Sequence, residues 1–398
     1  MRPSRGQLIG TLGAVALLAA LVVVGRLDAP GRLGRLSAPA PAGTTETIVG
    51  RPTPPRLRGM PLEGTGLAAL LIPDPSPSAV PGLLWLDSGR LTPIGGLPHG
   101  GCYLSPTRLP HGWALGRQVY KPTGQRCREL SMPTRFYLLA DGATRVTRLP
   151  VTADRLVADG DDTRLWLITF LGQPDPTSNQ PPPQAIQQVD RTGHPHSPRY
   201  LVPAGYAAWQ GVDGGLLLLI RTGQGSADTG RFALWNPGSG RMLRRYDRVL
   251  AASRTTIAWV AAACGPKPCL VHLSDLVAGT DIQVAVPWRA WTNRGAFSPD
   301  GRYLAVVFGG GDGAGAVAPA RVGVIDLAAR RLRAVPGAIL VGRDIGWAVT
   351  WSPDGAWLLV SARVGPLTEQ LVAWRPGDTV LHVPRRQPPT GRQLAPAG

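Results

Sequence analysis

Several residue clusters in the 398-residue sequence have types and spacings that allow chemistry. His194-Pro195-His196 sets two imidazoles two positions apart, where both can reach one transition metal if remote segments supply further ligands. The Pro-rich neighbourhood marks an exposed loop instead. Asp159, Asp161 and Asp162 in "ADGDDTRLW" have the carboxylate density of a calcium loop, but the alternation and closing Glu of a helical calcium hand are missing. A polar turn is the expectation there. Ser239 in "NPGSGR" has a glycine directly on each side, whereas a nucleophile elbow needs Gly-x-Ser-x-Gly, so it reads as a turn. The Gly-rich stretch at 309–319 lacks the Lys, the Ser or Thr and the following helix of a phosphate cradle. No catalytic, cofactor-binding or metal residue is therefore predicted, and the chain is expected not to be an enzyme.

The cysteines form two local pairs, Cys102 with Cys127 and Cys264 with Cys269, the second closing "CGPKPC". Local pairing is the simplest of the three connectivities that four cysteines allow. Buried free thiols are the alternative. Zinc is disfavoured, because the four-residue spacer is unusual and no neighbouring His or second Cys pair completes four ligands. Disulfides would place the domain in an oxidising compartment.

What positions such side chains is a repeat. "FSPDGRYL" and "WSPDGAWL" carry the same turn, Ser298-Pro299-Asp300-Gly301 and Ser352-Pro353-Asp354-Gly355, each followed by an apolar strand-like run. Pro presets the turn and Asp-Gly completes it, so each copy predicts strand, tight turn, strand. A second hairpin follows each copy, and five more of that type occur upstream. Their turns fall at Asp87, Asp141, Asp190, Asn236, Asp275, Asp326 and Arg375, at intervals of 39 to 54 residues. Apolar runs such as "LAALLI" and "GLLLLI" precede most of them. Four short strands repeated seven times predict an all-β fold, a seven-bladed β-propeller over residues 60–384. With 51 Gly, 41 Pro and 43% hydrophobic residues, the composition suits many short strands and many turns.

The aromatic-Ser-Pro-Asp-Gly element followed by an apolar strand resembles the repeat of TolB-type and WD-repeat-like bacterial propellers. The resemblance implies a ring of blades around a channel with binding on loop faces, and no particular ligand. The four residues of each copy are thus turn formers first. Trp291, Trp347, Trp351 and Trp357 cluster near the last two blades, where packing between sheets is the default role and a stacking site for a glycan or peptide is the sharper alternative.

The remaining segments suggest where such a domain works. Residues 1–7 read as a short cytoplasmic end, 8–25 as a transmembrane signal-anchor helix, 26–59 as a Pro/Ala/Arg-rich tether and 385–398 as a flexible basic tail. A retained anchor is favoured over a cleaved signal, since the small-residue sites at Ala38 to Ala42 lie far beyond the apolar run. A β-prone island, "TETIVG" at 45–50, is expected to add an outer strand to the last blade. The net charge of +17 raises a nucleic-acid partner. However, the basic residues are spread along the chain and all but Lys121 and Lys267 are arginine, so no nucleic acid is expected. The combined expectation is a monomeric, single-pass plasma-membrane protein without cofactor. Its propeller lies outside the cytoplasm and binds or scaffolds a protein, peptide or cell-envelope glycan; the alternative is a hydrolase or lyase with a polar site at the channel mouth.

Overall fold

The computed structural model describes residues 59–397, except 73–79, 101, 104–105, 119–133, 161–162, 173–181, 222–229, 262–268, 287–294, 310–318, 342–348, 364–368 and 388–392. The chain divides into units 1–52 and 53–398, and every described residue belongs to the second. Among the described residues no helix is long and apolar enough to cross a membrane, and the expected anchor at 8–25, like the "TETIVG" island, lies outside them.

The described residues form seven antiparallel sheets, one after another along the chain, as the hairpin count predicted. Within each sheet the strands, called a to d from the centre outward, form a meander. Blade 1 has Ala68–Ile72, Gly82–Trp85 and Leu91–Pro93 as b, c and d. Blade 2 has a broken strand a, Cys102–Tyr103 and Thr107–Leu109, then Gly112–Gln118, Thr134–Ala140 and Thr147–Ala153. Blade 3 is Arg155–Ala158, Arg164–Phe170, Gln184–Asp190 and Tyr200–Leu201. Blade 4 is Tyr206–Val212, Gly215–Ile220, Phe232–Asn236 and Arg241–Tyr246; blade 5 is Arg248–Ala252, Thr256–Val260, Cys269–Asp275 and Asp281–Val286. Blade 6 is Ala296–Phe297, Tyr303–Gly309, Pro319–Asp326 and Arg331–Val341. Blade 7 is Val349–Trp351, Leu358–Arg363, Glu369–Trp374 and His382–Val383.

The core explains why the b strands read as unbroken apolar runs. Ala68–Ile72 is buried along its whole length, because both faces of a blade are covered by neighbouring blades. Ala68, Leu70 and Ile72 pack with Trp113 and Leu115 of blade 2, whereas Ala69 and Leu71 pack with Leu359 and Leu371 of blade 7. Seven such clusters, one per pair of adjacent blades, complete the ring. Fully burying each Leu contributes about 1.5–3 kcal/mol.

Polar bonds join the innermost strands as well. Thr107 Oγ1 donates to Leu156 O (3.2 Å), Gln210 Nε2 to Ala252 O (2.9 Å), Gly295 N to Leu250 O (3.0 Å) and Trp351 Nε1 to Ala296 O (2.9 Å). Each links one blade to the next.

Ring closure departs from the expectation at both chain ends. Gln393–Ala397, inside the segment expected to be a flexible tail, pairs antiparallel with Ala68–Ile72 and supplies strand a of blade 1. Pro396 lies in an edge strand, the place in a sheet where proline is tolerated. At the outer edge of blade 7, Met60–Pro61 pairs parallel with His382–Val383. Met60 N donates to Leu381 O (2.8 Å) and Leu62 N to Val383 O (3.1 Å).

Because every blade is an antiparallel meander, the a–b and c–d turns share one face of the ring. The b–c loops and the d–a connections share the other.

Candidate functional site

The two Ser-Pro-Asp-Gly segments are the a–b turns of blades 6 and 7, and they are built identically. Ser298 N donates to Tyr303 O (2.9 Å), and Gly301 N closes the turn on Ser298 O (2.9 Å). The Ser298 hydroxyl donates to Asp300 Oδ1 (2.6 Å) and accepts from Tyr303 N (2.9 Å). In blade 7, Ser352 makes the same bonds with Asp354, Gly355 and Trp357. Both serines are buried, and their oxygens are engaged on donor and acceptor sides. They are turn locks with no free nucleophile. Gly355 has φ 69°, and a Cβ added there would lie 3.3 Å from the Asp300 carboxylate, so the two turns also touch each other across the blade boundary.

The other clusters resolve in the same direction. Asp190 Oδ1 accepts from Thr192 Oγ1 (2.6 Å), Thr192 N (2.8 Å) and His194 N (3.0 Å), and both His194 and His196 lie within 3.7 Å of its other oxygen. These bonds, led by the Thr192 hydroxyl, hold the Asp190 carboxyl well below the usual range. The segment is the c–d turn of blade 3. Among the described residues no group of three or more His, Cys, Asp or Glu is arranged to hold a metal ion. Asp159 takes hydrogen bonds from Gly160 N (2.8 Å), Trp166 Nε1 (2.9 Å) and the Gln188 amide, while Asp161 and Asp162 lie outside the described residues. Ser239 N donates to Asn236 Oδ1 (2.9 Å) in a side-chain-closed turn. Trp351 is buried and stacked on Tyr303 at 5.6 Å, a packing role; Trp291 and Trp347 lie outside the described residues.

Two carboxylate–imidazole pairs escaped the sequence reading because their members are distant or unremarkable in sequence. In blade 5, Asp281 bridges His272 Nδ1 (2.8 Å) and the Ser274 hydroxyl (2.8 Å). Trp259 donates to Ser274 Oγ (2.9 Å) and stacks on His272 at 4.2 Å. Burial raises the Asp281 pKa, but hydrogen bonds from His272 and Ser274 and the charges of His272 and Arg244 outweigh it and leave the carboxyl below its ordinary value. The order of contacts is not that of a catalytic triad, since the serine proton points at the aspartate and the histidine never reaches the serine. In blade 7, His382 Nε2 meets Asp378 Oδ2 at 2.9 Å, and Trp374 Nε1 donates to Asp378 O (3.0 Å). Both sets bind c–d hairpins to their sheets.

Cys102 and Cys269 are disulfide-bonded and buried, in blades 2 and 5; Cys127 and Cys264 lie outside the described residues.

The face of the b–c loops and d–a connections differs in character. Near the strand ends there, buried polar side chains interrupt the apolar runs: Gln118 and Thr134 in blade 2, Gln184 in blade 3, and Ser361 and Gln370 in blade 7. Gln184 Oε1 accepts from Ala208 N (3.0 Å), and Gln118 Nε2 donates to Thr134 Oγ1 (3.5 Å). Arg117 holds the connection between blades 1 and 2, donating to Gly100 O from Nε (2.8 Å) and Nη2 (2.7 Å). Burial pushes the neighbouring Tyr103 phenol up to about 12, against the charge of Arg117, and its hydroxyl donates to Pro98 O (2.6 Å). Arg155, the first residue of strand a in blade 3, is exposed, and its Nη1 donates a long bond to Ala208 O of strand a in blade 4 (3.4 Å).

Comparison with solved structures finds several similar chains. The chain is similar to TolB from Acinetobacter baumannii, at TM-score 0.44 and 14% identity over 85% of this chain and 68% of that one. It is also similar to an oligogalacturonate lyase from Vibrio parahaemolyticus (TM-score 0.48, 13% identity, 82% and 89% covered). A third is a periplasmic gluconolactonase of Pseudomonas aeruginosa (TM-score 0.46, 14% identity, 83% and 100% covered). The fold is a seven-bladed β-propeller. No protein-family model matches the sequence, and the search of curated proteins found no match. The propeller itself is established by the strand order of the seven sheets. The expectation that the chain is not an enzyme is corrected here: enzymes stand beside TolB among the similar propellers, so the absence of a catalytic motif in the sequence does not exclude catalysis.

Proposed function

We propose that the chain is a membrane-anchored propeller, held outside the cytoplasm by a helix at residues 8–25, whose b–c and d–a face binds a protein, peptide or cell-envelope glycan. The observation that carries the binding face is its polar strand ends. Gln118, Thr134, Gln184, Ser361 and Gln370 are buried amides and hydroxyls in strands where packing alone would favour aliphatic side chains. Gln118 and Thr134 bond each other and Gln184 accepts from Ala208 N, so these groups shape the face, while on the opposite face Ser298 and Ser352 close turns. Pairing of Cys102 with Cys127 and of Cys264 with Cys269 belongs to the same reading, supported by the bonded state of Cys102 and Cys269, and implies an oxidising compartment.

The test is crosslinking in intact membranes and capture of the full-length protein. Leu171, 41% exposed at the b–c end of blade 3, and Val277, 71% exposed in a c–d turn of blade 5, are its two probes. Leu171→Asp is expected to lose the captured ligand and Val277→Asp to keep it; the reverse order rejects the face. A hydrolase or lyase working at the channel mouth is the second reading, supported by the exposed Arg155 guanidinium at that end of strand a, a cation that suits negative charge developing on a substrate. Turnover by purified protein that Arg155→Gln abolishes would establish it.

A further inference from the structure

The two faces of the ring differ in charge, and turn chemistry is the reason. A reverse turn recruits aspartate to accept its spare N–H groups. Asp275 Oδ1 accepts from Val277 N and Ala278 N (both 2.8 Å), Asp326 Oδ1 from Ala329 N (3.0 Å), and Asp190 does the same in blade 3. Carboxylates are thereby drawn to the face of the a–b and c–d turns. The connections of the other face are not closed in this way, while arginine occurs on both.

Five arginines of blades 2 to 4 are exposed at the b–c and d–a end. Arg135 is the second residue of strand c in blade 2, and Arg155 is the first of strand a in blade 3. Arg199 reaches the far end of strand b in the same blade, donating to Thr169 Oγ1 (3.2 Å). Arg221 follows strand b of blade 4, and Arg245 of its strand d pairs with Ala233 near the start of strand c. The five range from an innermost strand to an outermost one, so they form a sector that runs from the channel rim to the perimeter. Among the described residues none of them is in an ion pair. The sector has two described carboxylates, Asp154 and Asp247, both half-buried, and Asp154 Oδ2 also accepts from Phe170 N (2.6 Å). The b–c and d–a segments outside the described residues hold more Lys and Arg than Asp and Glu, so they do not reverse the balance.

Aromatic rings lie among these charges. Phe170 ends strand b of blade 3, Tyr200 belongs to its strand d and Tyr206 opens strand a of blade 4; all three are half-buried at the same end. A guanidinium pairs with a carboxylate through two parallel hydrogen bonds, and the negative face of an aromatic ring attracts the C–H face of a sugar. We propose that this sector binds a linear acidic glycan whose sugars carry carboxylates. The proposal rests on the reading that this face receives the ligand, and it names the ligand's class. Several exposed contacts, each weak alone, act together along the chain of sugars.

Alginate, titrated by calorimetry into the full-length protein in detergent, is the probe, with dextran as an uncharged glycan and poly-L-glutamate as a carboxylated peptide chain. Saturable binding of alginate is expected, weakening as salt rises, with poly-L-glutamate about tenfold weaker or more and no binding of dextran. Removing three charges of the sector together, Arg135→Gln, Arg199→Gln and Arg245→Gln, should weaken alginate binding about tenfold, at about 1.5–5-fold for each exposed contact. Removing three exposed charges of the turn face, Arg302→Gln, Arg331→Gln and Arg375→Gln, takes the same charge from the chain and should leave binding within about twofold. Should the first triple variant fail to fold, Arg245→Glu alone, on an outermost strand, is expected to cost about fivefold and decides. No saturable binding of alginate, equal binding of poly-L-glutamate or dextran, or equal losses in the two triple variants overturns the proposal. Capture of a membrane ligand that depends on Leu171, without alginate binding, keeps the binding face and rejects the acidic glycan, so the two failures are told apart.

Discussion

Asp281 shows how one carboxylate can secure three strands of a blade. It is the first residue of strand d in blade 5, accepts from two side chains of strand c, and through Ser274 reaches Trp259 of strand b. Its folded pKa is depressed, so its contribution to stability is fully present above the unfolded value of about 3.9 and is lost as pH falls through the lower folded value. Asp281→Asn is expected to lower stability at pH 7 by about 1–3 kcal/mol, as for hydrogen bonds to a charged group. The gap to the parent should close as pH falls below about 4. Urea titrations at pH 7 and pH 3 check this, and an equal loss at both would mean that the charge has no part in it. None of this was legible in the sequence. His272, Ser274 and Asp281 form no motif, and only strand register brings them together.

At the scale of the element, the Ser-Pro-Asp-Gly turn was legible because its chemistry is local. Every bond that closes it lies within six consecutive residues, so the sequence contains the whole device. Its contact with the next blade was not legible. Gly355 is favoured by a left-handed backbone at φ 69°, and a Cβ there would also press to 3.3 Å of the Asp300 carboxylate, a contact that a small shift relieves. Gly355→Val is expected to cost about 1–3 kcal/mol from the backbone conformation alone. Thermal unfolding should show that loss while ligand binding at the opposite face remains; binding lost with stability intact would return the turn to the candidate sites. The hairpins at Asp87, Asp141 and the other c–d turns were readable on the same ground, since a reverse turn announces itself in two to four residues.

The whole molecule was only partly readable, and the missing part is closure. Seven units could be counted one at a time, but a ring also needs its ends joined, and Leu70 paired with Ala395 has no local signature. The Pro- and Ala-rich segment that makes this strand resembles a solvated tail until the vacant inner place of blade 1 is known. Removing residues 388–398 deletes that strand, with five paired positions on Ala68–Ile72. At about 1 kcal/mol per hydrogen bond, and about 1–2 °C per kcal/mol for a folded unit larger than 300 residues, the melting temperature should fall by about 5–10 °C. Calorimetry that found no change would show that the outer clasp at Met60–Pro61 closes the ring unaided.

Synthesis from the amino terminus adds a consequence in time. Ala68–Ile72 emerges early and finds Gly82–Trp85 at once, but the partner of its inner edge is made more than three hundred residues later. Throughout that interval five consecutive apolar residues present an open strand edge, the form of surface most prone to pair with another chain. The strand that completes the ring is therefore also the last to relieve a hazard created at its beginning, and a nascent chain halted short of Gln393 should be the species that aggregates.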